Sequence, residues 1–417
     1  MATSPTLFSL LQKLCTVIAL GSLFQLGVKA LIVRRDVDHL HRRTGGDCVP
    51  YYYAPVSTAL SSFPPIWVPA SILPNDTNAM DKWAAISPNV PTNIQPKGTI
   101  TGNFTNVTYN ATDTDCWWTY HQCVTPKLAG LPMDIASVPE PKTLGYGFDD
   151  GPNCSHNAFY DYLTSQQQKA TMYYIGSNVL DWPLEAQRAI TDGHEVCVHT
   201  WSHRYMTAFS SPDAFAELYY TIKLVTGVTP TCWRPPFGDV DDRIRSIANG
   251  LGLRTILWKY DSFDWKVGMA GVTEATVDQN YQSLLDGANN GTFDTVGAVM
   301  LTHELNNYTM SEAIKWYPSL RAAFKYLVPV GVAFNKTQPY VESTPTQPSF
   351  SQYIANTGPA PSVGPVAIAT DPATSSEGPA PTINAAQGAK SSSASRIQIS
   401  GSTAIFVVAF IGALIGQ

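Results

Sequence analysis

Along the middle of the chain the hydrophobic positions change period again and again, from every second residue to every third or fourth. Between 143 and 148, Leu144, Tyr146 and Phe148 fall on one side of a two-residue period, which predicts a strand. A helical pattern covers 158–168, a strand-like run 171–175, and a second helix 184–192. Gly193 follows directly, where a left-handed residue would close that helix. Then come a strand at 195–199, a helix at 213–225, and further short strands at 231–234, 255–260 and 298–301 with helices between them. Such alternation predicts an α/β fold on a parallel sheet, most simply a barrel. Each predicted strand runs into a polar cluster, and in a barrel the C-terminal strand ends converge on one mouth.

The flanks read differently. Residues 47–142 are rich in Pro, Asn, Thr and Trp and lack a sustained helical period, so 31–142 is expected to be an irregular N-terminal extension. Trp117 and Trp118 would point to opposite sides of an extended segment, so at most one can stack on a sugar; core packing is the expected role. Residues 1–30 read as a secretory signal: a short apolar run ends near the small residue Ala30. From 337 to 402 the composition shifts to Pro, Ala, Ser, Thr and Gly, which predicts a disordered stalk. It leads through a polar spacer to an apolar tail at 403–417, shorter than the ~20 residues that span a bilayer. With the small residues Ser391, Ser392, Ser393, Ala394 and Ser395 upstream, this is the pattern of a GPI-attachment signal. The catalytic domain is left with 143–336.

A chain of 417 residues, 44% hydrophobic and 14% charged, has enough material for a full-sized core. Its net charge of −6 and the absence of a basic cluster argue against nucleic acid as a partner, and a monomer is expected. Outside the signal, Cys48, Cys116, Cys123, Cys154, Cys197 and Cys232 form an even set, expected to pair as disulfides with the connectivity open. Asn-x-Ser/Thr acceptors occur at Asn75, Asn103, Asn106, Asn110, Asn153, Asn290, Asn307 and Asn335. A glycan on Asn153 would crowd the adjoining turn, so that acceptor is expected to be unused.

The candidate chemistry centres on His199-Thr200-Trp201-Ser202-His203 and Phe148-Asp149-Asp150-Gly151-Pro152. Histidines four apart share a face if the segment is helical, and two imidazoles plus a carboxylate make an open metal site. One aspartate can bind the ion while its neighbour, facing the other way, acts as base. Downstream, in order, come Arg234-Pro235-Pro236-Phe237-Gly238, Asp261-Ser262-Phe263-Asp264-Trp265 and Leu301-Thr302-His303. With these five motifs in this order, the chain resembles the polysaccharide deacetylases of carbohydrate esterase family 4, the NodB-like fold, over about 143–336. Gly147 stands where the family usually has Thr or Ser, and Phe237 where it usually has Tyr. Neither is a metal ligand, so both bear on substrate positioning.

The resemblance implies a distorted, incomplete (β/α) barrel and a division of roles. Asp150, His199 and His203 would hold a divalent ion, Zn²⁺ or Co²⁺, since mixed N/O ligands discriminate weakly. Asp149 would be the base and His303 the acid. Arg234 would orient Asp149, and Asp264 (or Asp261) would pair with His303. The Phe237 main-chain N–H would bind the oxyanion, and Trp265 and Leu301 would wall a pocket for the acetyl methyl. Three functions compete: an amidase that turns chitin or chitin oligomers into chitosan and acetate, a deacetylase of other polysaccharide acetyl groups, and a non-catalytic wall protein. The anchor signal and sequons favour a fungal-type wall, with the protein secreted and tethered outside the plasma membrane. A full set of ligands and acid/base groups favours the first.

Overall fold

The computed structural model describes residues 48–224 and 227–357. The expected signal at 1–30, the first part of the extension and the tail at 403–417 lie outside those residues, as does 358–402 of the expected stalk. Nine strands, all parallel, are described: β1 Thr143–Gly145, β2 Gly147–Gly151, β3 Thr171–Tyr174, β4 Glu195–Val198, β5 Cys232–Trp233, β6 Arg254–Thr255, β7 Tyr260–Asp261, β8 Ala298–Leu301 and β9 Tyr326–Val328. They form a five-stranded sheet, β2-β3-β4-β5-β6, and a four-stranded sheet, β7-β8-β1-β9. Strands β3, β4 and β8 are buried at every position, as parallel strands covered by helices must be.

The strand predicted at 143–148 is two strands. It divides at Tyr146, whose N–H donates to Val328 O and whose carbonyl accepts from Thr171 N–H. Below that residue the chain pairs with β9, above it with β3. On the other side the two sheets meet, because Asp149 N–H donates to Thr302 O at 2.9 Å and Glu304 N–H donates to Asp149 O at 3.0 Å. The strand predicted at 255–260 also divides, into β6 and β7, which are not paired with each other among the described residues. The ring is therefore open between β6 and β7, as the family resemblance implies.

The predicted helices form as α2 Asn157–Ser165, α4 Pro183–Thr191 and α5 Ser211–Leu224, with α3 Gly176–Asp181, α6 Asp242–Gly250, α7 Glu274–Asn289 and α8 Asn307–Ala323 around them. Gly193 takes the left-handed conformation expected of it, φ +79°. The extension, read as lacking a sustained helical period, contains one helix longer than four residues among the described residues: α1 Thr77–Ile86, whose first turn is capped by the Asp76 carboxylate on Ala79 N–H. Trp117 and Trp118 are buried as expected. The six cysteines pair as Cys48–Cys154, Cys116–Cys123 and Cys197–Cys232. The first of these bonds joins the start of the described extension to the turn after β2.

The stalk does not begin at 337. Val341 N–H bonds Thr229 O, Gln347 reaches Glu195, and α9 Phe350–Thr357 buries Phe350 and Tyr353. Tyr340 and these two rings give 338–357 enough apolar surface to order it, which composition averaged over a longer window concealed. No helix among the described residues is long and apolar enough to cross a membrane.

Candidate active site

Asp149 and Asp150 sit in β2 and both line one cavity of about 970 Å³. Successive strand residues ordinarily face opposite ways, and the sequence reading placed these two so. A bulge intervenes: the register with β3 shifts between Asp149 and Gly151, and Asp150 is left-handed at φ 73°. Both carboxylates are thereby turned to the same mouth. Gly151 is required, because a Cβ there would overlap the Glu304 carboxyl.

His199 directly follows β4, and His203 comes after it in a loop rather than on a helix. The loop is shaped by left-handed residues at Thr200 (φ 65°) and His203 (φ 54°). Thr200 Oγ1 accepts from His203 N–H, while the buried Glu217 of α5 accepts from Trp201 N–H, Ser202 N–H and the Ser202 hydroxyl. The four-residue spacing thus brings the rings together by a pinned turn, their centroids 5.0 Å apart. His199 Nδ1 lies 2.8 Å from Arg234 O, leaving Nε2 to face Asp150 Oδ1 at 3.3 Å; His203 Nε2 is 3.1 Å from the same oxygen. One donor atom from each of the three residues falls within 4.8 Å of the others.

The second carboxylate is committed elsewhere. Arg234 Nη1 donates to Asp149 Oδ1 at 2.6 Å, and the guanidinium stacks over Tyr173, 3.8 Å from its centroid. Tyr173 also accepts from Nη2. Across the cavity, His303 donates twice to Asp264: Nδ1 to Oδ1 at 2.6 Å and main-chain N–H to Oδ2 at 3.0 Å. Burial disfavours the charged imidazole, but Asp264, with Asp150 and Asp149 behind it, outweighs burial and lifts its pKa to about 10. Asp264, not Asp261, is therefore the partner; burial pushes the Asp261 carboxyl up to about 6.

Trp265 lies 6.3 Å from the His303 ring and Phe237 4.8 Å from His203, with Leu301 on the cavity wall. Every residue singled out from the sequence is in or against this one site. Sequence reasoning missed Tyr173, Glu217, Glu304 and Trp67, which enters the cavity from the extension; Trp118, expected in the core, is buried and lines the cavity as well. Only the extension's tryptophan content hinted at Trp67. Asn153 lines the cavity as well and donates its side-chain amide to Leu305 O.

Residues 136–256 match the polysaccharide deacetylase family. Over 316 residues the chain is 56% identical to chitin deacetylase 2 of Cryptococcus neoformans var. grubii, covering 74% of this chain and 70% of that protein. The chain belongs to the polysaccharide deacetylases. It is 43% identical over 304 residues to the chitin deacetylase of Amylomyces rouxii, covering 70% of this chain and 71% of that one. Among solved structures, the chitin deacetylase of Colletotrichum lindemuthianum aligns with 21% identity and a TM-score of 0.44, over 49% of this chain and 92% of that one. This polysaccharide deacetylase is accordingly a hydrolase.

The structure gives physical reasons for both departures from the family pattern. A Cβ on Gly147 would approach Thr171 O to 2.6 Å, and the Thr302 hydroxyl already donates to Gly147 O. Phe237 is left-handed at φ 57° and stacks on Tyr205, centroids 4.1 Å apart, so packing rather than a phenol hydroxyl holds it. A divalent ion fits the donor set of this deacetylase. Asp150 Oδ1 is buried without a hydrogen-bond partner, at the point that both Nε2 atoms face. Among the described residues two other His/Cys/Asp/Glu groups have metal-like spacing, but their cysteines are in disulfides.

Proposed function

We propose that this enzyme is a metal-dependent chitin deacetylase, hydrolysing the N-acetyl groups of N-acetylglucosamine units to give acetate and a free amine on the polymer. The observation that carries this reading is the pairing of Arg234-held Asp149 with Asp264-held His303 on one cavity. A base for water and an acid for the amine are what amide hydrolysis requires. The relatives named as chitin deacetylases support the choice of substrate.

Asp150, His199 and His203 would hold a divalent ion, Zn²⁺ or Co²⁺, which would supply Lewis-acid chemistry to the acetyl carbonyl and to water. Asp149 takes the proton of the attacking water, with Arg234 fixing which oxygen does so. The Phe237 main-chain N–H donates to the carbonyl oxygen as it gains charge. As the C–N bond breaks, His303 delivers its Nε2 proton to the departing nitrogen, Nδ1 being engaged by Asp264. Trp265 and Leu301 enclose the methyl group and exclude water from that side.

Eight sequons and three disulfides support an extracellular setting. We place the substrate in a fungal-type wall, with the protein tethered through a GPI lipid near 391–395. Acetate release from chitin oligomers by purified protein, with and without chelator and after return of Zn²⁺ or Co²⁺, tests the reading. Release that chelation stops and metal restores is expected; no release under any metal condition would overturn it.

A further inference from the structure

Trp67 belongs to the extension, outside the residues 136–256 that match the family, yet it lines the same cavity as Asp149, Asp150 and His303. It is 42% exposed, although tryptophan is on average a highly buried residue. Exposed as it is, the ring is held. Nε1 donates to Asp181 Oδ2 at 3.0 Å and the main-chain N–H donates to Ser177 Oγ at 2.9 Å, both partners on α3. Ser177 in turn donates to Trp201 O, within the loop that carries the two histidines. The preceding segment is fixed to that loop too: Pro65 O accepts from Trp201 Nε1, and Phe63 stacks on the Trp201 ring.

Trp67 is also left-handed, φ 63°, a region where bulky side chains are uncommon. A large ring kept exposed, strained and anchored beside a cleft points to use rather than to packing. The aromatic contacts around the reacting groups run from His203 through Phe237 and Trp265 to His303, and Trp67 takes no part in them among the described residues. With its N–H spent on Asp181, the indole offers its flat face. The C–H face of a pyranose ring is the chemical match, being apolar and of similar extent. The cavity, about 970 Å³, is near the upper end for a small-molecule site and admits more than one sugar ring.

We propose that Trp67 is the stacking platform of an outer subsite, binding a sugar ring other than the one that loses its acetyl group. The proposal rests on the polymeric N-acetylglucosamine reading of the substrate. The extension is then part of the enzyme's specificity for chain length, not only a cover on the barrel.

The test compares kcat/KM for acetate release from an N-acetylglucosamine pentamer and dimer, in the metal-loaded full chain. Trp67→Ala is expected to lower the pentamer value about three- to tenfold, the size of an aromatic stacking contact, and the dimer value much less. Trp67→Tyr keeps a ring and should recover most of the loss. Asp181→Ala, which frees the indole, should lose less than Trp67→Ala but with the same bias toward the pentamer. Metal content and melting temperature of each variant identify any loss caused by misfolding, in which case Trp67→Tyr decides. Equal losses on both substrates, or none on the pentamer, would overturn the platform while leaving the substrate reading intact. A parent enzyme that releases acetate from neither oligomer would overturn both.

Discussion

The five-stranded sheet carries Asp149, Asp150, His199, His203, Arg234 and Phe237, whereas the four-stranded sheet carries Asp264, Leu301 and His303. The two halves are built by different means. On the five-stranded side the groups are crowded, and the backbone is bent to fit them: Asp150, Thr200, His203 and Phe237 are all left-handed. On the four-stranded side Phe263, directly before Asp264, is left-handed (φ 59°), and a single imidazole is held by a single carboxylate through two hydrogen bonds. Geometry is the product of the first half and protonation state the product of the second. They are joined where Asp149 bonds the main chain of Thr302 and Glu304, flanking His303. That seam fixes the distance between the proposed base and the proposed acid.

Variants that break one half and spare the other sharpen the contrast. The largest effect is expected from His203→Ala or His199→Ala, which leave two protein ligands. Bound metal and activity should fall to background together, as read by metal analysis beside acetate release. His303→Ala should leave metal content at parent level and cut the rate by about 10²–10⁴-fold, the usual worth of a general acid. Loss of metal in that variant would show that the halves are not separable.

A smaller effect, with a distinct signature, is expected from Asp264→Asn. His303 has its pKa raised to about 10, so its protonated form is favoured by the fold. The associated stability is complete below the ordinary value of about 6.5 and is lost as pH rises through the folded value. Activity that needs this proton should therefore persist into alkaline solution and fall as pH passes about 10. Without Asp264, burial is opposed only by Asp150 and Asp149, and the pKa falls. The alkaline limb of the pH–rate profile should move to lower pH, with a rate loss of up to roughly tenfold near pH 7. A profile that keeps its alkaline limb in place would remove Asp264 from the proton inventory.

The same comparison explains what was legible in the sequence. Period and motif order identified both halves, because strand ends and titratable residues are local signals. The strands at 195–199 and 298–301 followed from them, whereas the pairing of Arg234 with Asp149 was implied by the family resemblance. The bulge at Asp150 and the turn joining His199 to His203 did not, since left-handed aspartate, threonine and histidine carry no compositional mark. Asp264, which the resemblance puts ahead of Asp261, opens a three-residue helical turn after β7 and meets His303 there. The order in 338–357 rests on three buried rings scattered through a Pro- and Thr-rich stretch. The reach of the extension into the cleft is a long-range contact, sealed by Cys48–Cys154, that no local pattern announces.

The central claim is that adjacent carboxylates do different work: Asp150 holds the ion and Asp149 moves the proton. Asp149→Asn tests it most directly, because asparagine preserves size, and the ligand set of Asp150, His199 and His203 is untouched. Metal content and acetate release are measured on the same preparation. The account predicts full metal occupancy with the rate reduced about 10²–10⁴-fold. A rate within about threefold of the parent at full occupancy would contradict it, since the carboxylate beside the ligand would then not be the base.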